Sequence, residues 1–188
     1  MYILEIFHPH EAVVGYFSAI IAIASILNVV YTATSSIARS HINQLLITNE
    51  YEKLRNLLKF IGYINALSLT ILTICIIIFS KKLLGTFGPG YSSEYICLSI
   101  ISLGYLSSGI FPPFWILLFY KNTTRSNLIN AYMLVCNISL GILFTIYWGL
   151  LGLAIIYFFV CFAGRLTKYI YGKKELQKAQ LKHSACLS

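Results

Sequence analysis

The sequence predicts an all-α integral membrane fold, with about five transmembrane helices forming one bundle, and three observations carry that prediction. Five apolar stretches, at residues 12–38, 60–80, 95–120, 128–147 and 150–164, approach or exceed the roughly 20 residues a helix needs to cross the hydrocarbon core of a bilayer. None of the five contains Asp, Glu, Lys or Arg, and Asp is absent from the whole chain. The basic residues sit almost entirely in every second gap between the stretches. Composition agrees: 58% hydrophobic and 11% charged residues, with a positive mean hydropathy, fall outside the range of a soluble domain.

Charge sets the orientation. The gap after the first stretch holds Arg39, Lys53, Arg55 and Lys59, and the gap after the third holds Lys121 and Arg125. Beyond the fifth lie Arg165, Lys168, Lys173, Lys174, Lys178 and Lys182, so only Lys81 and Lys82 of the 14 basic residues fall on the opposite side. Such asymmetry marks the cytoplasmic face and predicts a cytoplasmic C-terminus. The net charge of +8 is thereby assigned to topology and contact with membrane lipid, and no nucleic-acid partner is expected.

Element by element, residues 1–11 start apolar but lack a basic leader and are broken off at His8-Pro9-His10. They read as the remnant of a membrane helix with an outer loop, and the expectation is that the chain is a fragment or the C-terminal half of a larger assembly. Residues 12–172 read as the transmembrane bundle and 173–188 as a basic cytoplasmic tail. In the first span, Ser18, Ser25, Asn28, Thr32, Ser35, Ser36 and Arg39 fall within an arc of about 100°, with Thr34 outside it. A polar face in lipid must meet protein or water. Ser25, Asn28, Thr32, Ser36 and Arg39 are therefore the candidate substrate path, the other reading being a stripe that lets two helices approach and bond.

Asn49, able to cap, and Leu54, Leu57, Leu58 and Ile61 at helical spacing predict a short amphipathic helix on the cytoplasmic surface, running into the second span. Gly62, Asn65 and Ser68 read as a packing face. The run Phe87-Gly88-Pro89-Gly90-Tyr91 predicts a tight outer turn. Span three is interrupted at Gly109-Ile110-Phe111-Pro112-Pro113, where two prolines remove amide donors. Gly109, Pro112 and Pro113 are a candidate hinge, with a static kink as the alternative. Asn130, Asn137 and Gly141 share a face of span four, where an interhelical bond from Asn137 is expected. Gly149 lies in the next outer turn. Span five is short, and Arg165 and Lys168 extend it by snorkelling.

Neither metal nor nucleophilic chemistry is indicated. The five cysteines have no metal or redox spacing, and His8, His10, His41 and His183 lie at loops or ends. The spans offer no carboxylate for an ion relay. No catalytic residue, metal site or cofactor is expected, and the chain does not read as an enzyme.

Several segments carry a likeness to a known family. They are Glu11 to Ala19 (acid-x-x-G-x-Y/F-S-A), Tyr51 to Lys59 (E-x-L-R-x-L-L), Phe87 to Tyr91 (F-G-P-x-Y/F), Asn137, and Gly149 to Ala154 (G-x-x-G-x-A). In this order and spacing the chain resembles, from Glu11 to about Gly172, the C-terminal half of the polysaccharide flippases. These are O-antigen and lipid-linked oligosaccharide exporters of bacteria, related to MATE-type multidrug transporters. The resemblance implies two helical bundles around a central cavity, movement of an undecaprenyl-linked oligosaccharide to the outer leaflet, and cavity cations that meet its diphosphate. It also implies a partner bundle, which a separate N-terminal half chain could supply. A multidrug or lipid exporter of the same fold is the alternative within transport. A non-transporting membrane protein or degenerate remnant is the alternative outside it.

Overall fold

The computed structural model describes residues 11–187, with side chains over residues 13–181. The expected N-terminal remnant falls almost wholly on residues 1–10, outside the described residues. Those described contain no strand and form α1 (Glu11–Ile47), α2 (Tyr51–Gly85), a 3-10 turn (Tyr91–Glu94), α3 (Tyr95–Ile110), α4 (Trp115–Lys121) and α5 (Thr123–Leu187). Three helices are long and apolar enough to cross a membrane, and α3 with α4, bent by 65°, makes a fourth candidate if the pair is one span.

Helix α5 is broken at Gly149, whose φ of 56° and ψ of −136° no L side chain adopts readily. Its arms, residues 123–148 and 150–187, fold back antiparallel. Met133 meets Gly164, and the Arg125 guanidinium lies 5.2 Å from the Tyr171 ring centroid and 3.7 Å from Glu175.

Two apolar clusters hold the bundle. The larger joins Ile20, Ile23, Leu27 and Tyr31 of α1 to Leu69 and Ile76 of α2, Leu98 and Ile101 of α3, and Ala154 of α5. The smaller, at the end where most cations collect (the basic end), joins Ala38 and Ile42 to Leu54, Leu58, Phe114, Leu117 and Leu176. Outside these clusters the surface stays apolar. The first arm of α5 exposes Leu128, Tyr132, Leu134, Val135, Ile138, Leu143 and Ile146 around its circumference. Helices this long and this apolar on their outer faces are compatible with a multi-pass membrane protein.

Local details follow the sequence in part. Gly88 and Gly90 take φ of 139° and 94° in the turn between α2 and α3, as its composition predicts. Tyr91 docks edge-on to Tyr16 with ring centroids 4.7 Å apart, so the turn packs on the start of α1. The expected amphipathic helix is instead the first turns of a continuous α2. Leu54 and Leu58 are wholly buried in the smaller cluster, so protein rather than lipid headgroups covers them. Asn49 does not cap α2. Glu50 is the capping residue, without a side-chain bond, while Asn49 holds a left-handed φ of 57° and accepts a bond from the Tyr51 hydroxyl. The connection is too short for Asn49 both to reverse the chain and to reach the α2 amides.

Candidate functional site

Helix α1 has two polar sets with different fates. On the packed side, Thr34 is hydrogen-bonded to the side chain of Asn65 on α2, and Ser35 is buried. On the other side, Asn28, Thr32, Ser36 and Arg39 are exposed and Ser25 is half-buried. At about 100° per residue these five span an arc of about 80°. Ser25 and Thr32 donate to their own helix, Ser25 Oγ to the Ala22 carbonyl at 2.7 Å and Thr32 Oγ1 to the Asn28 carbonyl at 2.8 Å. The Asn28 amide and Ser36 hydroxyl have no hydrogen-bond partner among the described residues. Among the described residues Thr34, outside the stripe, makes the side-chain bond to α2, whereas Ser25, Asn28, Thr32 and Ser36 make none to another helix.

The stripe ends in a cluster of cations and aromatic rings. The Arg39 guanidinium lies 5.3 Å from the Trp115 ring centroid. Trp115 Nε1–H donates to the Tyr31 hydroxyl at 2.7 Å, and Arg165 Nη1 donates to the same oxygen at 3.4 Å. Arg165 also stacks 4.9 Å from the Tyr31 ring centroid. The phenol oxygen of buried Tyr31 thus accepts two bonds, which leaves its own proton to donate elsewhere. Cation–π contact holds each guanidinium in place without neutralising it. Neither arginine is in an ion pair among the described residues.

The proline break positions Trp115. Phe111, ahead of Pro112, is extended (φ −93°, ψ 118°), as a residue before proline must be. Helix α4 then restarts at Trp115. The break is packed on α2. A Cβ on Gly62 would come within 3.0 Å of three Pro112 atoms, and one on Gly109 within 2.8 Å of the Asn65 carbonyl oxygen. Lys168 follows one turn beyond Arg165, so the region carries an excess of positive charge suited to an anion.

The structure thus joins Arg39 of the predicted path to Tyr31 and Trp115, which the sequence reading did not single out, and to Arg165, which it took only as a snorkelling end residue. Their partners lie far apart in the chain, and the one local signal was a tyrosine two turns before Arg39 on a polar flank. Asn137, expected to bond across helices, has no hydrogen-bond partner among the described residues. No group of His, Cys, Asp and Glu that could hold a metal ion is found among them either. No family model matches the chain, and no curated protein or solved structure is similar to it.

Proposed function

We propose that this chain is one helical bundle of a transporter that moves an undecaprenyl-linked oligosaccharide across the bacterial inner membrane. In this reading the chain crosses the bilayer five times, with its basic end and C-terminus in the cytoplasm. The face bearing Ser25, Asn28, Thr32 and Ser36 lines the path, and Arg39 and Arg165 meet the carrier diphosphate, with the proton of Tyr31 as a further donor. A second bundle, in the same polypeptide or a separate chain, closes the cavity from the other side. Gly109, Pro112 and Pro113 serve as the hinge that moves Trp115 against Arg39 between the two openings.

One observation carries the reading. The polar face of α1, with Arg39 at its end, is left outside the packed bundle while other polar residues of the same helix are packed inside it, and neither Arg39 nor half-buried Arg165 has a carboxylate partner among the described residues. Phosphate oxygens would complete what the ring contacts leave unsatisfied, since charge-assisted bonds to guanidinium are the stronger kind.

Deletion of the gene tests it. Lipid-linked sugar intermediates should accumulate on the cytoplasmic leaflet, and expression of the chain with its natural partners should clear them. A variant carrying Arg39→Gln and Arg165→Gln should restore clearance at most weakly while reaching the membrane at the same level. Equal clearance by that variant, or no accumulation on deletion, refutes the proposal.

A further inference from the structure

A separate cleft of about 560 Å³ opens at the basic end, between α2, the proline break and the last turns of α5. It includes none of Tyr31, Arg39, Trp115 and Arg165. Its volume lies within the range of about 300–1,000 Å³ common for small-molecule sites. Three cations border it: Arg55 and Lys59, one turn apart on α2, and Lys173 on α5. Among the described residues none of the three is in an ion pair or a ring contact, and no carboxylate lines the cleft. Of the nearby carboxylates, Glu50 pairs with Lys53 at 2.6 Å and Glu175 with Lys178 at 3.5 Å, and Glu52, one turn before Arg55, is not part of the lining.

Behind the cations the wall changes character. Gly62, Ala66, Ile110 and Pro112 make it apolar, while Gln177 and Gln180 add amides at the rim. Along α2 the cleft adjoins the outward side chains of Phe60, Tyr63 and Leu67, all more than 60% exposed. A free phosphate would need the cations but not this wall. An acyl chain would need the wall but not the cations.

We infer that this cleft binds an anionic, phosphate-bearing lipid of the surrounding bilayer. Arg55, Lys59 and Lys173 hold the headgroup phosphate, and an acyl chain lies along the wall from Ala66 towards Leu67. Basic pockets between helices at the membrane surface recognise lipid headgroups in this way. The site concerns the standing lipid environment and is independent of what the bundle transports.

Native mass spectrometry of the full chain, purified in detergent and given phosphatidylglycerol, phosphatidylcholine or inorganic phosphate, tests it. Phosphatidylglycerol should be retained as one adduct in preference to phosphatidylcholine, and excess inorganic phosphate should not displace it. At about fivefold per cation, Arg55→Gln, Lys59→Gln and Lys173→Gln together should weaken retention roughly a hundredfold. The charge-matched variant Lys53→Gln, Lys174→Gln, Lys178→Gln should keep it. Ala66→Phe, which fills the wall and leaves every charge, should also reduce retention and carries the test should the triple variant not fold. Equal retention of the two lipids, equal loss in both triple variants, displacement by phosphate alone, or full retention by Ala66→Phe overturns the proposal.

Discussion

Replacement of Gly149 by alanine isolates a backbone effect, because the structure removes the competing explanation. A Cβ built on Gly149 meets no atom within 4 Å, so nothing is overpacked. The residue nonetheless holds φ 56° and ψ −136°, a conformation that joins the two arms of α5. An L side chain held there costs about 1–3 kcal/mol. At about 1.4 kcal/mol per tenfold, the ratio of folded to unfolded chain should fall about 5- to 150-fold. Gly85 supplies the control. It also has open space at its Cβ, but it closes α2 without a positive φ. Gly85→Ala should therefore be neutral or stabilise by up to about 1 kcal/mol, mainly through the unfolded chain. The assay is reversible unfolding of both variants in mixed micelles, followed by helical circular dichroism. Equal midpoints for Gly149→Ala and Gly85→Ala would show that the break at Gly149 does not constrain the fold, and the hairpin reading of α5 would fail.

Reporter fusions at Thr48, Asn122 and Lys178 should report cytoplasm, while those at Gly90 and Trp148 should report the outside. The inverse pattern refutes the orientation. Cysteines placed at Ser25, Asn28 and Thr32 should react with aqueous thiol reagents in the assembled transporter, whereas one at Leu27 on the packed face should not.

Much of the fold is legible in the sequence because long apolar stretches and the charged gaps between them are features of composition alone. The apolar stretches become long helices, and Gly88, Gly90 and Gly149 take the positive φ values that their turn contexts predict. What escaped depends on contacts between distant parts of the chain. Leu54, Leu57 and Leu58 show the period of a surface helix whether lipid or protein covers them. Only the approach of Phe114, Leu117 and Leu176 makes it protein. Asn49 carries the chemistry of a cap and of a left-handed turn alike, and the tight connection between α1 and α2 selects the turn. Arg165 reads as a snorkelling end residue until the fold brings it over Tyr31, 134 positions away.

Asn28 decides between a lipid-facing stripe and a path more sharply than its neighbours. Ser25 and Thr32 can face hydrocarbon because each hydroxyl bonds a carbonyl of its own helix. Arg39 stands nearer one end of α1, where a long side chain can reach the membrane surface. Asn28 has neither escape. It lies near the midpoint of the 37-residue helix, exposed, with an amide that has no partner among the described residues. An unsatisfied amide in hydrocarbon costs several kcal/mol, so under the proposed reading water or a second bundle meets it there. A cysteine at this position that reacts with a membrane-impermeant reagent, and is protected when cargo lipid is added, places it on the path. Should it stay inert while Asn28→Leu stabilises the protein and leaves transport unchanged, the stripe is a lipid-facing surface and the proposed route through Arg39 is lost.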